Sequence, residues 1–308
     1  MPFPIDPGHQ QYSGTLIPQI WSPRLLEKFY EFSVLEAIAN TNWEGEVRNL
    51  GDKVNIRLRP DINISSYVKG QDLDVQIPEQ GMTELVIDRG EYWKFLVEDV
   101  DRAQSDLDYM EEWTEDAAEA MNEKINETVL GEVYADAHAA NQGAEAGIKT
   151  GYFDLGAAGA PVGLTPENVV GKLGECATVL SENKVPRSKR WLVAPPWLIQ
   201  LIYDSPSRNH LVSGQDQDLL RKQHVGRIAG FEIFESNQLA MVEDGDDDVT
   251  NIIFGHETGI TFASQLVNSE VIRSERKFGV FARGLNVYGF NTVKEESLGL
   301  LYATRASE

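Results

Sequence analysis

Glu98-Asp99-Val100-Asp101-Arg102-Ala103-Gln104 opens a stretch running to Asp136 in which Val100, Leu107, Met110, Trp113, Ala117, Met121, Ile125, Val129 and Val133 approximate one helical stripe. The spacing predicts a helix of nearly forty residues, the longest element of the chain. It carries fourteen acids against two bases, Arg102 and Lys124, and so −12 of the chain's net −22. A charge run of this kind reads first as a solvated helix face. The functional alternative is a lining to which polyanions do not adhere.

Towards the N-terminus the period changes from helical to two. Val54, Ile56 and Leu58 alternate with Asn55, Arg57 and Arg59; Leu73, Val75 and Ile77 alternate with Asp74 and Gln76; Thr83, Leu85 and Ile87 repeat the pattern. Gly70, Pro78 and Gly81 punctuate the runs, which predicts long antiparallel β arms with one apolar face each. An exposed arm of this kind needs a surface to lie on. Before it, residues 1–23 hold five of the thirteen prolines, which predicts an extended stretch that buries little by itself. A short amphipathic helix is expected next, with Ser22 as cap, Pro23 in the first turn, and Leu25, Leu26, Phe29 and Tyr30 at helical spacing.

Towards the C-terminus, residues 143–163 hold six glycines and five alanines and read as a flexible linker at a boundary. Thr165-Pro166-Glu167-Asn168 opens a helix to about Asn183, with Cys176 in its core face. Arg190-Trp191-Leu192-Val193-Ala194 reads as a buried strand ended by Pro195-Pro196, and Trp197, Leu198, Leu201 and Ile202 resume the helical spacing. Gly230–Phe234 is a further strand, and Asp244–Asp248 closes the α/β segment. From 251 to 305 strands dominate: 252–254, 260–262, 271–272, 278–280 and 287–290.

Composition narrows the function classes. The chain has 308 residues, 42% hydrophobic and 25% charged, which is ordinary globular usage. A net charge of −22 disfavours loose binding to a phosphate backbone. One cysteine allows no intrachain disulfide, and the N-terminus lacks the basic and apolar regions of a signal peptide, so a soluble, unexported chain is expected.

The motifs of enzymatic chemistry do not appear. There is no Gly-x-Ser-x-Gly elbow, no Walker loop, no His-Glu-x-x-His and no cysteine pair for zinc. His256-Glu257 reads as a hydrogen-bonded turn and Asp246-Asp247-Asp248 as a solvated loop rather than a calcium site. Asp204, Ser205 and His210 supply the residue types of a triad, but sequence neighbours seldom form one. The expectation is no catalytic residue, no metal and no cofactor.

The order of elements, together with four strings, resembles the major capsid protein family of tailed bacteriophages. The strings are Gly51-Asp52-Lys53-Val54-Asn55-Ile56, Glu98-Asp99-Val100-Asp101-Arg102-Ala103-Gln104, Arg190-Trp191-Leu192-Val193-Ala194-Pro195-Pro196 and the run from Glu275 to Gly289. The resemblance implies an α+β chain with the Johnson fold, or Hong Kong phage capsid-like fold. It divides the chain into an N-terminal arm (1–51), an extended β loop (52–93), a peripheral domain with a spine helix (94–154), an axial domain (155–248) and peripheral C-terminal strands (249–308). It implies no turnover, and self-assembly as hexamers and pentamers into an icosahedral head enclosing double-stranded DNA without specific binding. The glycine-rich stretch at 143–163 is where the bend between the two ring sizes is expected.

On this resemblance Trp21, Phe29, Tyr30, Arg57, Arg59 and Lys69 are the candidate assembly contacts. The implied partners are copies of the chain, a separate scaffolding protein, a portal and, as an option, a decoration protein, with no membrane. The place is the virion, assembled in the bacterial cytoplasm. A free monomer is expected to aggregate or stay partly disordered. Lys69 with Asn286 or Asn291 offers the residue types of an isopeptide cross-link, without a catalytic residue to support it. Two alternatives remain: an encapsulin-type shell around a cargo enzyme, and a soluble acidic hydrolase, which the absence of a nucleophile motif opposes.

Overall fold

The computed structural model describes residues 33–41, 53–60, 62–67, 69–70, 72, 75–78, 81–99, 109–206, 226–245, 247–274 and 277–306. In chain order they form α1 (Leu35–Ile38), β1 (Lys53–Arg57), β2 (Met82–Val86), β3 (Arg89–Glu98), α2 (Tyr109–Val133), β4 (Val162–Leu164), α3 (Val169–Glu182), β5 (Arg190–Ala194), α4 (Pro196–Asp204), β6 (Arg227–Ile228), β7 (Phe231–Glu235), β8 (Met241–Asp244), β9 (Asp247–His256), β10 (Ile260–Arg273), β11 (Gly279–Thr292) and β12 (Leu298–Arg305). The expected α+β class is what these elements make. The predicted helix at 20–30, with Trp21, Phe29 and Tyr30, lies outside the described residues.

The central sheet runs β4-β12-β9-β5-β7-β6, with β8 paired to the first half of β9. Every residue of β5 is buried, as a strand covered on both faces must be. Alternation sends Leu192 and Ala194 to one core with Val169, Leu173, Cys176 and Leu180 of α3 and Leu198 and Ile202 of α4. It sends Trp191 and Val193 to a second core with Ile38 of α1 and Met121, Ile125 and Val129 of α2. Leu173 is 1% exposed, and Leu173→Ala is expected to cost about 2–5 kcal/mol of stability, read by denaturant unfolding.

The second sheet is β10-β11-β3, antiparallel throughout. Its near face lies on α2: Trp93 stacks on Phe95 at 5.3 Å, Phe95 meets Trp113 edge-on at 5.6 Å, and Trp93 covers Gly284. Its far face carries the β1–β2 ribbon, through a small core of Val54, Ile56, Leu85, Ile87, Ala263 and Val287. A bulge between Leu266 and Asn268 flips the alternation in β10, so Ala263 and Glu270 sit on the same face.

Several expectations are corrected. Glu98 is not the start of the long helix but the last residue of β3, because the period-two run through Trp93, Phe95 and Val97 continues pairing with β11 as far as Gly279. The described helix α2 has 25 residues. Val75 and Ile77, expected within the β arms, are exposed and in no strand, since no described segment offers them a pairing edge; among the described residues the arm's strands are β1 and β2.

The glycine-rich stretch is a folded loop, not a free linker. Bridges join Ala146 to Phe153 and Ala157 to Ala160, and Ala146 and Leu155 are fully buried. Glu182 accepts hydrogen bonds from the Lys149 and Thr150 amides and the Thr150 hydroxyl, and the Tyr302 amide donates to the Leu155 carbonyl at 2.8 Å. Gly156 has φ +81°, and a Cβ there would fall 2.1 Å from the Tyr302 carbonyl oxygen, so this glycine is dictated by close approach.

Residue 248 is not a break in the sheet. β9 begins at Asp247 and pairs with both β5 and β12, so one sheet draws on segments from either side of that position. The short strands expected after 260 merge into the long β10–β11 hairpin, with Phe278 just before β11. Residues 33–41, expected within the N-terminal arm, enter the second core, where α1 docks and the Asn40 amide donates to the Ile260 carbonyl.

Candidate assembly surface

Lys53, Asn55 and Arg57 point outwards from β1 while Val54 and Ile56 point into the small core. That alternation anchors the ribbon and leaves its other side bare. Beyond it, the Leu58 amide donates to the Gly81 carbonyl and the Asn63 amide to the Gln76 side chain, which holds the two limbs of the arm together. Ile62, Ile64, Tyr67, Val75 and Ile77 all face solvent, with Ile64 96% exposed. So much apolar side chain on one projection is what a surface awaiting a partner presents.

The expected contact residues fall on this projection in part. Arg57 ends β1, Arg59 follows it and Lys69 lies near the tip; all three are exposed and have no ion-pair partner among the described residues. Lys53, by contrast, is held 2.9 Å from Glu84. The structure brings Arg57 and Arg59 together at the root and leaves Lys69 apart from them.

A second surface had no signal in the sequence reading. On the far face of the three-stranded sheet the pairs Tyr92–Leu285, Lys94–Arg283 and Leu96–Phe281 follow one another from the ribbon outwards. Tyr92 is 78% exposed, and Phe278 at the hairpin end is 84% exposed. Lys94 lies over the Phe281 ring at 4.2 Å and Arg283 pairs with Glu270. Cross-strand register assembles this strip from residues nearly two hundred positions apart, which no local pattern reveals.

On the opposite face, Arg89 makes a two-pronged bond to Glu132 of α2, both contacts at 2.6 Å, with its guanidinium 4.6 Å from the Phe290 ring centre. The hydrogen bond to Arg89 holds the Glu132 carboxyl below its usual range, and the same bond raises Arg89. A carboxyl lowered on folding stabilises the fold above its unfolded pKa, and that contribution is lost as pH falls through the folded one. Both side chains are partly exposed, so Glu132→Gln is expected to cost about 1 kcal/mol or less at pH 7 and nothing in strong acid, read by urea melts across pH.

Among the described residues no group of acidic, histidine or cysteine side chains could hold a metal ion. Ser205 is buried, and His210 lies outside the described residues. The Cys176 thiol, fully buried, is pushed well above its ordinary pKa by desolvation and is a core group. No described helix is long and apolar enough to cross a membrane.

Known proteins agree with the architecture. A structure from Mycobacterium phage Che8 superposes with a TM-score of 0.73 at 22% identity, covering 93% of this chain and 97% of that one. The capsid of cyanophage P-SCSP1u gives 0.70 at 15% identity over 94% of each chain. The capsid of a native GTA particle gives 0.64 at 15% identity over 95% and 97%. No curated protein matches the sequence. These likenesses show the fold; a family model described as phage capsid protein matches residues 83–301, from the second ribbon strand to the last strand of the central sheet. With that span matched, the chain belongs to the phage capsid protein family, and its work is to be the major structural protein of a virion shell.

Proposed function

We propose that the chain assembles as pentamers and hexamers into the icosahedral head of a tailed phage and encloses double-stranded DNA without turnover or specific DNA contacts. The observation that carries this reading is the projecting arm, whose exposed Ile62, Ile64, Tyr67, Val75 and Ile77 have no counterpart surface among the described residues. Self-association supplies one. The arm roots on the far face of the three-stranded sheet, so in a ring of copies with a common orientation it meets the neighbour at that face. There the exposed Tyr92, Leu285 and Phe278 offer apolar cover, and Lys94 offers charge to Asp61, Asp72, Asp74 and Glu79 of the arm.

On this reading residues 1–51 are the N-terminal arm, 52–93 the extended loop, 94–154 with 249–308 mainly peripheral and 155–248 mainly axial, with β9 and β12 shared into the axial sheet. The partners are further copies, a separate scaffolding protein and a portal, and a decoration protein on the outer face is an option. Assembly takes place in the host cytoplasm. The acidic outer side of α2 favours a wall to which DNA does not adhere. No observation favours the encapsulin-type shell or the hydrolase.

The test is particle size by light scattering and negative-stain microscopy, with and without a candidate scaffolding protein. Closed shells or five- and six-membered rings are expected. Charge reversal at Arg57→Glu with Arg59→Glu is expected to reduce shell yield severalfold while leaving the circular dichroism unchanged. A compact monomer under every condition sinks the proposal.

A further inference from the structure

Arg190 begins β5 and is 2% exposed, yet among the described residues its guanidinium meets no carboxylate. Its donors go instead to the carbonyls of Ala177, Val185 and Pro186 and to the Ser181 hydroxyl. It therefore ties the C-terminal turn of α3 to the start of the sheet with its positive charge uncompensated. The turn it closes is strained: Lys184 and Lys189 both adopt positive φ, at 60° and 53°, a region where a side chain with a Cβ is disfavoured.

His256 ends β9 directly opposite Arg190 in the strand register. It is 6% exposed, and its Nδ1 accepts a hydrogen bond from the Thr258 amide at 3.2 Å, with the Thr258 hydroxyl 3.0 Å away. A ring nitrogen that accepts from an amide carries no proton, so the geometry requires a neutral imidazole. The charged groups acting on the ring are Glu257 from its own turn and Lys189 and Arg190 from β5 and its lead-in, and the Ser188 backbone bonds to it. Glu257 is itself paired with Lys189 at 2.5 Å, so the local balance is positive.

We infer that His256 and Arg190 form an acid-released latch on the Lys184–Lys189 turn. A proton taken up from solvent at Nδ1 breaks the bond from the Thr258 amide and sets a second cation beside the uncompensated Arg190. The turn then relaxes away from β9 and opens the end of α3. Burial first, and the two cations after it, hold the His256 pKa below its ordinary value. The latch contribution is thus complete above the unfolded histidine pKa and is lost as pH falls from there towards the folded one.

The single cysteine supplies the probe. Cys176 lies fully buried on α3, one residue from the Ala177 carbonyl that Arg190 holds, so its thiol becomes accessible only when this end of the core opens. The full-length chain is reacted with a dithiodipyridine reagent from pH 7.5 to 5. Rates are normalised to a free thiol at each pH. The normalised rate is expected to rise severalfold as pH falls below about 6.5, the ordinary histidine pKa.

His256→Gln, which cannot take up the proton, is expected to flatten the profile. Glu257→Gln removes the one carboxylate that favours the charged ring and is expected to move the rise to lower pH. His138→Gln, at the other described histidine, is expected to leave it unchanged. A wild-type rate that does not rise overturns the latch, as does the same rise in His256→Gln. If that variant does not fold, an unmoved midpoint in Glu257→Gln overturns it equally.

Discussion

Gly289→Val is expected to abolish shell assembly while leaving most of the fold in place. Gly289 sits in β11 on the far face of the three-stranded sheet, where the ribbon crosses it. A Cβ at this position would lie 2.1 Å from the Val86 carbonyl oxygen and 3.0 Å from the Ile87 side chain. Neither can give way cheaply, because Val86 pairs with Lys53 and Ile87 is fully buried in the small core. The ribbon must lift, and Val54, Ile56, Leu85 and Ile87 then lose their cover. Exposing that core costs several kcal/mol, at about 1.5–3 kcal/mol for each large side chain returned to water.

The seven-stranded sheet shares none of these residues and is expected to stay folded. The measurement is a pair of readings on one preparation: particle yield by light scattering, and protease resistance of the chain. Loss of particles with a protease-resistant fragment spanning the central sheet is the expected result. Normal particles would show that the arm root is dispensable for assembly. Asn291 strengthens the case, since its side-chain amide donates to the Glu84 carbonyl at 2.7 Å from the same strand. Asn291→Ala is expected to weaken the same joint by about 1 kcal/mol, a small effect in the same direction.

Legibility followed the range of the forces involved. β5, α3 and α4 could be read directly because a fully buried strand, a cap region at Thr165–Asn168 and a Pro at the first helical turn are local signals. The Asn168 side chain accepts from the Thr165 amide and donates to the Gly163 carbonyl, so it folds the entry to α3 and makes no cap bond to the helix itself. The glycine-rich loop was misread because composition reports flexibility in the unfolded chain, whereas Gly147 and Gly156 are there to let Glu182 and Tyr302 approach. Val75 and Ile77, read as part of the β arms, lie in no strand because alternation says which face is apolar, not whether a described segment offers a pairing edge.

The exposed strip on the far face was the least legible part. Tyr92, Lys94, Phe281 and Arg283 become neighbours only through the β3–β11 register. Arg57, Arg59 and Lys69 entered as candidates only through the family resemblance, which places a projecting arm at this part of the chain. The far face became a candidate only when the small core fixed which side the ribbon occupies. The buried Arg190 likewise looked like one residue of a family-flavoured string, and its lack of a carboxylate is a tertiary fact.

Asn126→Leu is expected to destabilise the chain by about 3 kcal/mol, although the side-chain volume hardly changes. Asn126 is a fully buried polar residue in α2, between Ile125 and Glu127, where the apolar stripe passes. Its Oδ1 accepts from the Val34 amide at 3.3 Å and the Ser33 hydroxyl at 3.4 Å, and its Nδ2 donates to Gln238 Oε1. One amide thus joins the entry of α1, the long helix and the turn before β8. A leucine would leave the Val34 amide and the Gln238 oxygen without these partners, at about 1–3 kcal/mol for each buried group left unpaired. Asn122→Ala, on an exposed position one turn earlier, is expected to change stability by less than about 0.5 kcal/mol. The measurement is thermal and denaturant unfolding of both variants together with the rate of proteolysis ahead of Ser33. Faster cleavage there in Asn126→Leu alone is expected, because α1 is held to the core by its apolar side chains and by this bond at its first turn. Equal stabilities in the two variants would mean that burial of Leu35 and Ile38 suffices to seat α1, and that the polar junction contributes only direction to the chain leaving it.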